Sequence, residues 1–313
     1  MSLLSRVAER SYWAARYLER AENNGRVINV YGNLLLDLPL EAGFGWHTLI
    51  DINGNQDLYA NLYPTPNSLS PLRFLISDAN NPSSIRAALR MVRENIRTTR
   101  DIFPSEAWRS INELYLFSKE SLRGAISDRK RHEVLSRIVA GCQQINGMLA
   151  ANMSHGSAYQ FLRIGRNVER ADMATRVVDV AAATILKASD DLVPFTNTVW
   201  MAVLRSLSAY QMYRQYVRRR IVPGDVITFV LLDDHFPRAW RYCLGQLETA
   251  LRRLPRPEDA LRAVARLQRQ TDEMDLARMD HADLHDWIDL VQLELGVVHV
   301  AAQQTWFTLE APA

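Results

Sequence analysis

The sequence predicts an all-α protein, a multi-helix bundle with an internal pseudo-twofold repeat, on three observations. Apolar residues recur at three- and four-residue spacing over long stretches, and no stretch sustains the alternation of a half-buried strand. A charged segment near the N-terminus also returns almost position for position 150 residues later (166 − 16 = 150). Arg16, Glu19, Arg20, Ala21, Glu22, Arg26, Val27 and Val30 fall on Arg166, Glu169, Arg170, Ala171, Asp172, Arg176, Val177 and Val180. At about 100° per residue, Arg16, Glu19, Arg20, Arg26, Val27 and Val30 share one helical stripe, and so do their counterparts. A solvated charged face would stay polar along its length. Here the same azimuth passes into valine, so the stripe is expected to be buried or half buried.

Buried guanidinium and carboxylate groups must pair, because an unpaired buried charge costs several kcal/mol. The simplest arrangement brings Glu19 to Arg170 and Glu169 to Arg20. The two segments hold six arginines (Arg16, Arg20, Arg26, Arg166, Arg170, Arg176) against four acids (Glu19, Glu22, Glu169, Asp172). Two positive charges therefore need acids from elsewhere or an anionic ligand.

The 313 residues are read as a single helical domain of about 1–310, with repeat-like halves of about 1–150 and 151–310. The first helix runs from about Ser2 to Leu36, with Gly25 and Gly32 as close-packing points. From about 39 to 81 the texture becomes irregular, punctuated by Gly43, Gly45, Gly54, Pro64, Pro66 and Pro71, with room for short helices around Gly45 to Ile52 and Ser70 to Ser77. Asn81-Pro82 reads as an N-cap with proline at the first helical position, opening a helix to about Asp101. In it Arg93, Arg97 and Arg100 share a side, with Glu94 and Asp101 close by, which reads as a solvated or salt-bridged face, Arg93 and Arg97 being also anion-binding candidates.

Pro104 and Ser105 restart a helix carrying Trp108, Ile111, Leu114 and Tyr115; others run from about Lys130 to Asn152 and through the second charged repeat to about Ala188. After Asp190-Asp191 and Pro194, one helix is expected to carry Trp200, Leu204, Leu207, Tyr210 and Tyr213. Arg218 to Arg220 lie beside tyrosines spaced every three residues, a spacing that suits core packing better than a nucleic-acid surface. Asp233, Asp234 and His235 are read as a cap for a helix starting at Pro237 rather than as metal ligands. His281 and His285 stand at i, i+4, but the glutamate of HExxH is absent, so they are read as surface residues and no metal is expected.

Composition narrows the function classes. A net charge of only +2 does not suggest a dedicated nucleic-acid binder, and no run approaches the roughly 20 apolar residues of a membrane span. The opening MSLLSRVAERSYW carries charge early and has no apolar core, so no secretory signal is expected. Cys142 and Cys243 lie in helix-like surroundings with no metal spacing, which favours a reduced, cytoplasmic setting over a disulfide between them. No phosphate-binding glycine loop appears, no catalytic triad can be assembled from the sequence, and no cofactor is expected.

The stretches YWAARYLERAENNGR, NPSSIRAALRMVRENIRTTRD with Trp108 following, FLRIGRNVERADMATR, FVLLDDHFPRAW and HDWIDLVQLELGVVH together resemble the alpha-E domain family, bacterial all-α proteins named for a Glu-Arg motif. Ile164 and Ala239 depart from the expected leucine and serine. The resemblance implies a setting beside a circularly permuted ATP-grasp ligase, a transglutaminase-like protein and sometimes a proteasome-like hydrolase, and hence work on a peptide or peptide-like amide. Two readings follow from it. In one the chain is an accessory subunit that docks on the ligase, with the Arg/Glu-rich core as architecture. In the other it is an enzyme of the same pathway, in which Glu19 or Glu169 moves a proton while Arg16, Arg20, Arg26, Arg166, Arg170 and Arg176, with Arg93 and Arg97, are candidates to hold a carboxylate or acyl phosphate.

Overall fold

The computed structural model describes residues 5–38, 45–123, 127–186 and 194–308, with backbone alone at 128, 129 and 186. Among them are fourteen α-helices and no strand. The long inner elements are α1 (Ser5–Asp37) and α8 (Ser157–Leu186), about 50 and 45 Å long at 1.5 Å per residue. They pack directly on each other. Both lack a clean polar face because each is surrounded by other helices. On α1 the buried residues include Tyr12, Leu18, Ala21, Val27 and Ile28 together with Glu19, Glu22, Asn23 and Asn24.

Around this pair, packing runs in the same order in the two halves. α5 (Ile85–Arg97) and α7 (Asp128–Asn152) lie on α1, with α6 (Ser105–Ser121) bridging them. α12 (Trp240–Leu251) and α14 (His281–Ala302) lie on α8, with α13 (Glu258–Asp272) bridging them. α9 (Thr196–Ser206) touches both inner helices, and α14 ends in a π-helical turn, Gln303–Phe307, whose Trp306 donates to the Pro255 carbonyl at 2.8 Å.

Glycine permits the closest helix crossing. A Cβ on Gly165 of α8 would lie 2.2 Å from the Tyr12 carbonyl oxygen of α1, so no side chain fits there without separating the inner pair. Gly25 is similarly tight, at 3.1 Å from Val139 on α7, and Gly32 faces Arg131 and Trp46, as close packing requires.

The region expected to be irregular is richer in structure than its glycines and prolines suggest. It forms α2 (Thr48–Asn53), α3 (Gln56–Leu62) and α4 (Ser70–Ile76), and α3 was not foreseen. Gly54 closes α2 in the left-handed region, φ 62°. Three further expectations are corrected. Asn81 does not cap α5. Its side chain is buried, donating to the Phe74 carbonyl at 3.0 Å and accepting from Ser83 N at 2.9 Å, while Ser84 provides the cap by accepting from Ala87 N. The helix expected to run through Trp200 and Tyr213 breaks at Ser208, φ 56°, into α9 and α10 (Tyr210–Tyr216); only Tyr213 of its three tyrosines is buried. Pro237 lies ahead of α12 rather than starting it, because Asp233 Oδ1 accepts from His235 N and Phe236 N and holds the chain in a turn until Trp240; α11 (Pro223–Leu232) precedes that turn. The residues Pro39 to Gly43, the break at Asp190-Asp191 and the helix end near Ala188 lie outside the described residues.

Candidate functional site

The Glu-Arg segments of α1 and α8 meet across the inner helix pair. Arg20 Nε lies 2.6 Å from Glu169 Oε1, and Arg170 Nε lies 3.0 Å from Glu19 Oε1, the two reciprocal contacts that the repeat predicts. Each glutamate then accepts a second arginine, but not from matched positions. Glu169 takes Arg16 of α1 at 2.9 Å. Glu19 takes Arg238, which enters from the turn between α11 and α12. Arg238 also binds Glu22 at 2.6 Å and Asn23 at 2.9 Å, and Glu22 further accepts from Arg26 and, at 3.2 Å, from Gln143 of α7. Arg176 pairs with Asp172 one turn away, at 2.9 Å.

The surplus of positive charge is thus met by sharing. Six arginines (Arg16, Arg20, Arg26, Arg170, Arg176, Arg238) contact four acids, with Glu19, Glu22 and Glu169 each holding two of them. What arrives from outside the two segments is another arginine, not an acid. Arg238 stands in the turn beginning Asp233, which matches the turn beginning Asp78 at a spacing of 155 (233 − 78; 237 − 82 for the prolines). Asp78 Oδ1 accepts from Asn80 N at 2.8 Å as Asp233 Oδ1 accepts from His235 N at 2.9 Å. That second echo was the available signal for Arg238, and it is faint because Ser83 occupies the matching place.

Burial divides the cluster. Glu19 and Glu22 are fully buried and Arg26 and Arg238 nearly so, whereas Arg176 and Asp172 keep 28% and 25% of their side-chain surface. Burial pushes the Glu19 carboxyl up, but Arg170 and Arg238 outweigh it and hold it at about 2. Glu169 is likewise held below the ordinary carboxylate range, burial being overcome by Arg20 and Arg16. Arg26 is lowered, first by burial and then by repulsion from Arg238. At the edge of the cluster Arg16 reaches the Tyr12 hydroxyl at 3.4 Å and lies over the Trp13 ring, and Tyr12 shares a 3.0 Å hydrogen bond with Nδ1 of His299. Burial and Arg16 lower the His299 pKa, keeping the ring neutral at pH 7.

Three candidates stand apart. Arg166 has no carboxylate partner among the described residues; it lines a cavity of about 10 Å³ with Ala14, Leu18, Val92, Asn146 and Leu162, room for about one water. Arg93 binds Asn112 at 2.8 Å and lies over the Trp108 and Tyr115 rings, holding α5 to α6. Arg97 is exposed and pairs with Glu94 on its own helix. A roomier cleft of about 280 Å³, lined by Pro223, Ile227, Leu276, Met279 and Leu284, shares no residue with the charged core. No group of three potential metal ligands occurs among the described residues.

The chain matches, over residues 3–307, the Alpha-E family, described as a predicted alpha-helical domain with a conserved ER motif. It belongs to that family. Two curated relatives of this Alpha-E chain are uncharacterized proteins of Mycobacterium bovis and Mycobacterium tuberculosis, each 21% identical over 290 residues. The match covers 86% of the Alpha-E chain but only 31% of each relative, so the chain spans about a third of their length. No solved structure matches. No described helix of the Alpha-E chain is long and apolar enough to cross a membrane.

Proposed function

We propose that this protein is an accessory subunit of an ATP-grasp-type peptide (amide) ligase system, docking on the ligase and using its Glu-Arg core as architecture. A transglutaminase-like protein of the same pathway is a second expected partner, and a cytoplasmic setting goes with both. One observation carries the architectural half of this reading: Glu19 and Glu169 are each locked between two arginines and held well below neutrality. A proton-transfer group works best with a pKa near the working pH, and a carboxylate held by two guanidinium groups neither gives nor readily takes a proton at pH 7. The relatives' length supports the docking half, since a domain like this one occurs there as part of a much longer protein. We also read the two halves as related by a pseudo-twofold, which the matching order of packing around α1 and α8 supports.

The test is co-purification of this chain with an ATP-grasp ligase encoded beside it, followed by ATP-dependent amide formation with and without the chain. Complex formation with a rate that depends on the chain supports the reading; no complex and no effect on rate overturn it.

Arg166 favours the alternative, an enzyme with an anion-binding Glu-Arg site, because among the described residues it alone of the six repeat arginines lacks a carboxylate partner. Its cavity is water-sized and largely apolar, too small for an acyl phosphate. Arg166→Lys keeps the charge but loses the guanidinium fork. A fall in the coupled reaction with assembly intact would support the enzyme reading, and unchanged activity would remove Arg166 from any site.

A further inference from the structure

The last long helix presents an apolar seam to solvent. Leu290, Leu293, Val297 and Val300 on α14 follow one another at three, four and three residues and are 45%, 73%, 43% and 46% exposed. At about 100° per residue they lie opposite the buried face of Ile288, Val291, Leu295 and Val298, which packs into the core. Single exposed leucines are ordinary, but four in a row at 3-4-3 spacing form the a/d seam by which one helix lies on another. The seam is about 15 Å long, three turns of helix. Gly296 beside it opens onto space, leaving room for a partner side chain.

The charge beside the seam identifies the kind of occupant. α14 carries Asp283, Asp286, Asp289 and Glu294 and no lysine or arginine. Asp286 continues the seam toward the helix start, with Asp289 on one flank and Asp283 on the other. Glu294 is already paired with Arg266 of α13 at 3.0 Å, so among the described residues the acids left without an arginine are the three aspartates. A second copy docked in parallel would set these acids against their own kind. Docked antiparallel, it would set them against Gly296 to Gln304, where α14 and its extension offer no cation.

We propose that this face of α14 docks an amphipathic helix of a different chain, one whose apolar seam is flanked by lysine or arginine. The inference rests on α14 alone and stands whether or not the partner is a ligase.

The test uses the full chain and two synthetic four-heptad peptides with leucine at a and d, one with lysine and one with glutamate at e and g, followed by fluorescence anisotropy. The lysine peptide should bind at least about tenfold more tightly than the glutamate peptide, with binding weakened by salt. Leu293→Ser with Val297→Ser should weaken it at least about tenfold without moving the thermal unfolding curve, since both side chains are exposed. The proposal is overturned if neither peptide binds, if both bind equally, or if the double substitution leaves binding unchanged. Sedimentation showing a dimer that the substitution disperses would assign the seam to a second copy and also overturn it.

Discussion

Replacing Glu19 with glutamine is expected to cost about 3 kcal/mol of folding stability at pH 7 and to blunt the protein's sensitivity to acid. Glu19 is fully buried and joins Arg170 of α8 to Arg238 of the α11–α12 turn. Its carboxyl is held at about 2 against an ordinary 4.5. That gap of about 2.5, at about 1.4 kcal/mol per pH unit, amounts to about 3 kcal/mol. An independent expectation agrees: removing one member of a buried ion cluster costs about 3–5 kcal/mol, because its partners are left buried and unpaired. Glutamine has nearly the same shape and still offers one accepting oxygen, but it carries no charge, so Arg170 would keep only neutral acceptors, that amide oxygen and the Pro237 carbonyl at 3.5 Å. Because the folded carboxyl titrates below the unfolded one, the native state binds fewer protons, so its contribution is complete above about pH 4.5 and is lost as pH falls toward 2. Urea unfolding of both proteins at about pH 7, 5 and 3 measures this. The expected result is a gap of about 3 kcal/mol at pH 7 that narrows in acid. A gap below about 1 kcal/mol at pH 7, or one that stays constant with pH, would refute the claim that the cluster is a buried, charge-dependent core.

Gly165→Ala should destabilise by about 1–3 kcal/mol or more, since the new methyl collides with the Tyr12 carbonyl, whereas Gly245→Ala on α12, where a Cβ meets open space, should stabilise by about 0.5–1 kcal/mol; thermal unfolding of the two variants should shift in opposite directions. The His285 pKa is raised first by its 2.7 Å hydrogen bond to Asp179, with Asp289 and Asp286 adding to it, so its small stabilising contribution is present in acid and lost as pH rises through the folded value; Asp179→Asn should lower the ring's titration toward its ordinary value by NMR. Burial pushes the Cys142 and Cys243 thiols up, Cys243 to about 12, so both should resist thiol reagents at about pH 8 in the native protein and react on unfolding, a native-state reaction counting against their burial.

Long-range charge pairing was legible because it repeats. Two copies of one charged stripe, each passing into valine on the same azimuth, could be satisfied most simply by each other, and Glu19–Arg170 and Glu169–Arg20 follow from that. The irregular pieces were less legible. Asn81-Pro82 and Pro237 looked like helix starts because asparagine and proline favour those places, but each side chain or turn is committed elsewhere, and the helices begin three residues after each proline, at Ile85 and Trp240. The break at Ser208 has no proline or glycine to announce it, and apolar spacing continues straight across it. Gln143 was invisible for another reason. One polar residue among many on α7 gains its role only from the neighbour the fold supplies.

The unlike completion of the two glutamate sites bears most on what the motif can do. Both copies have a carboxylate reaching across to the other helix and a second acid paired within its own helix, Glu22 with Arg26 and Asp172 with Arg176. In one copy Arg238 ties both acids together from the α11–α12 turn and excludes solvent. In the matching turn of the first half, Ser83 stands at that place and offers only its carbonyl, accepting from Asn24 at 2.9 Å. No guanidinium bridges Glu169 and Asp172 among the described residues, and the second copy stays open at its outer pair, with Arg176 and Asp172 retaining 28% and 25% of their side-chain surface. Salt and solvent reach that outer pair and weaken it more than the pairing of Glu22, which is fully buried. The same Glu-Arg pattern thus closes completely over Glu19 and Glu22 and stays partly open at Asp172 and Arg176, and the partly exposed guanidinium groups through which a ligand or partner could reach the motif are Arg16, Arg20, Arg170 and Arg176.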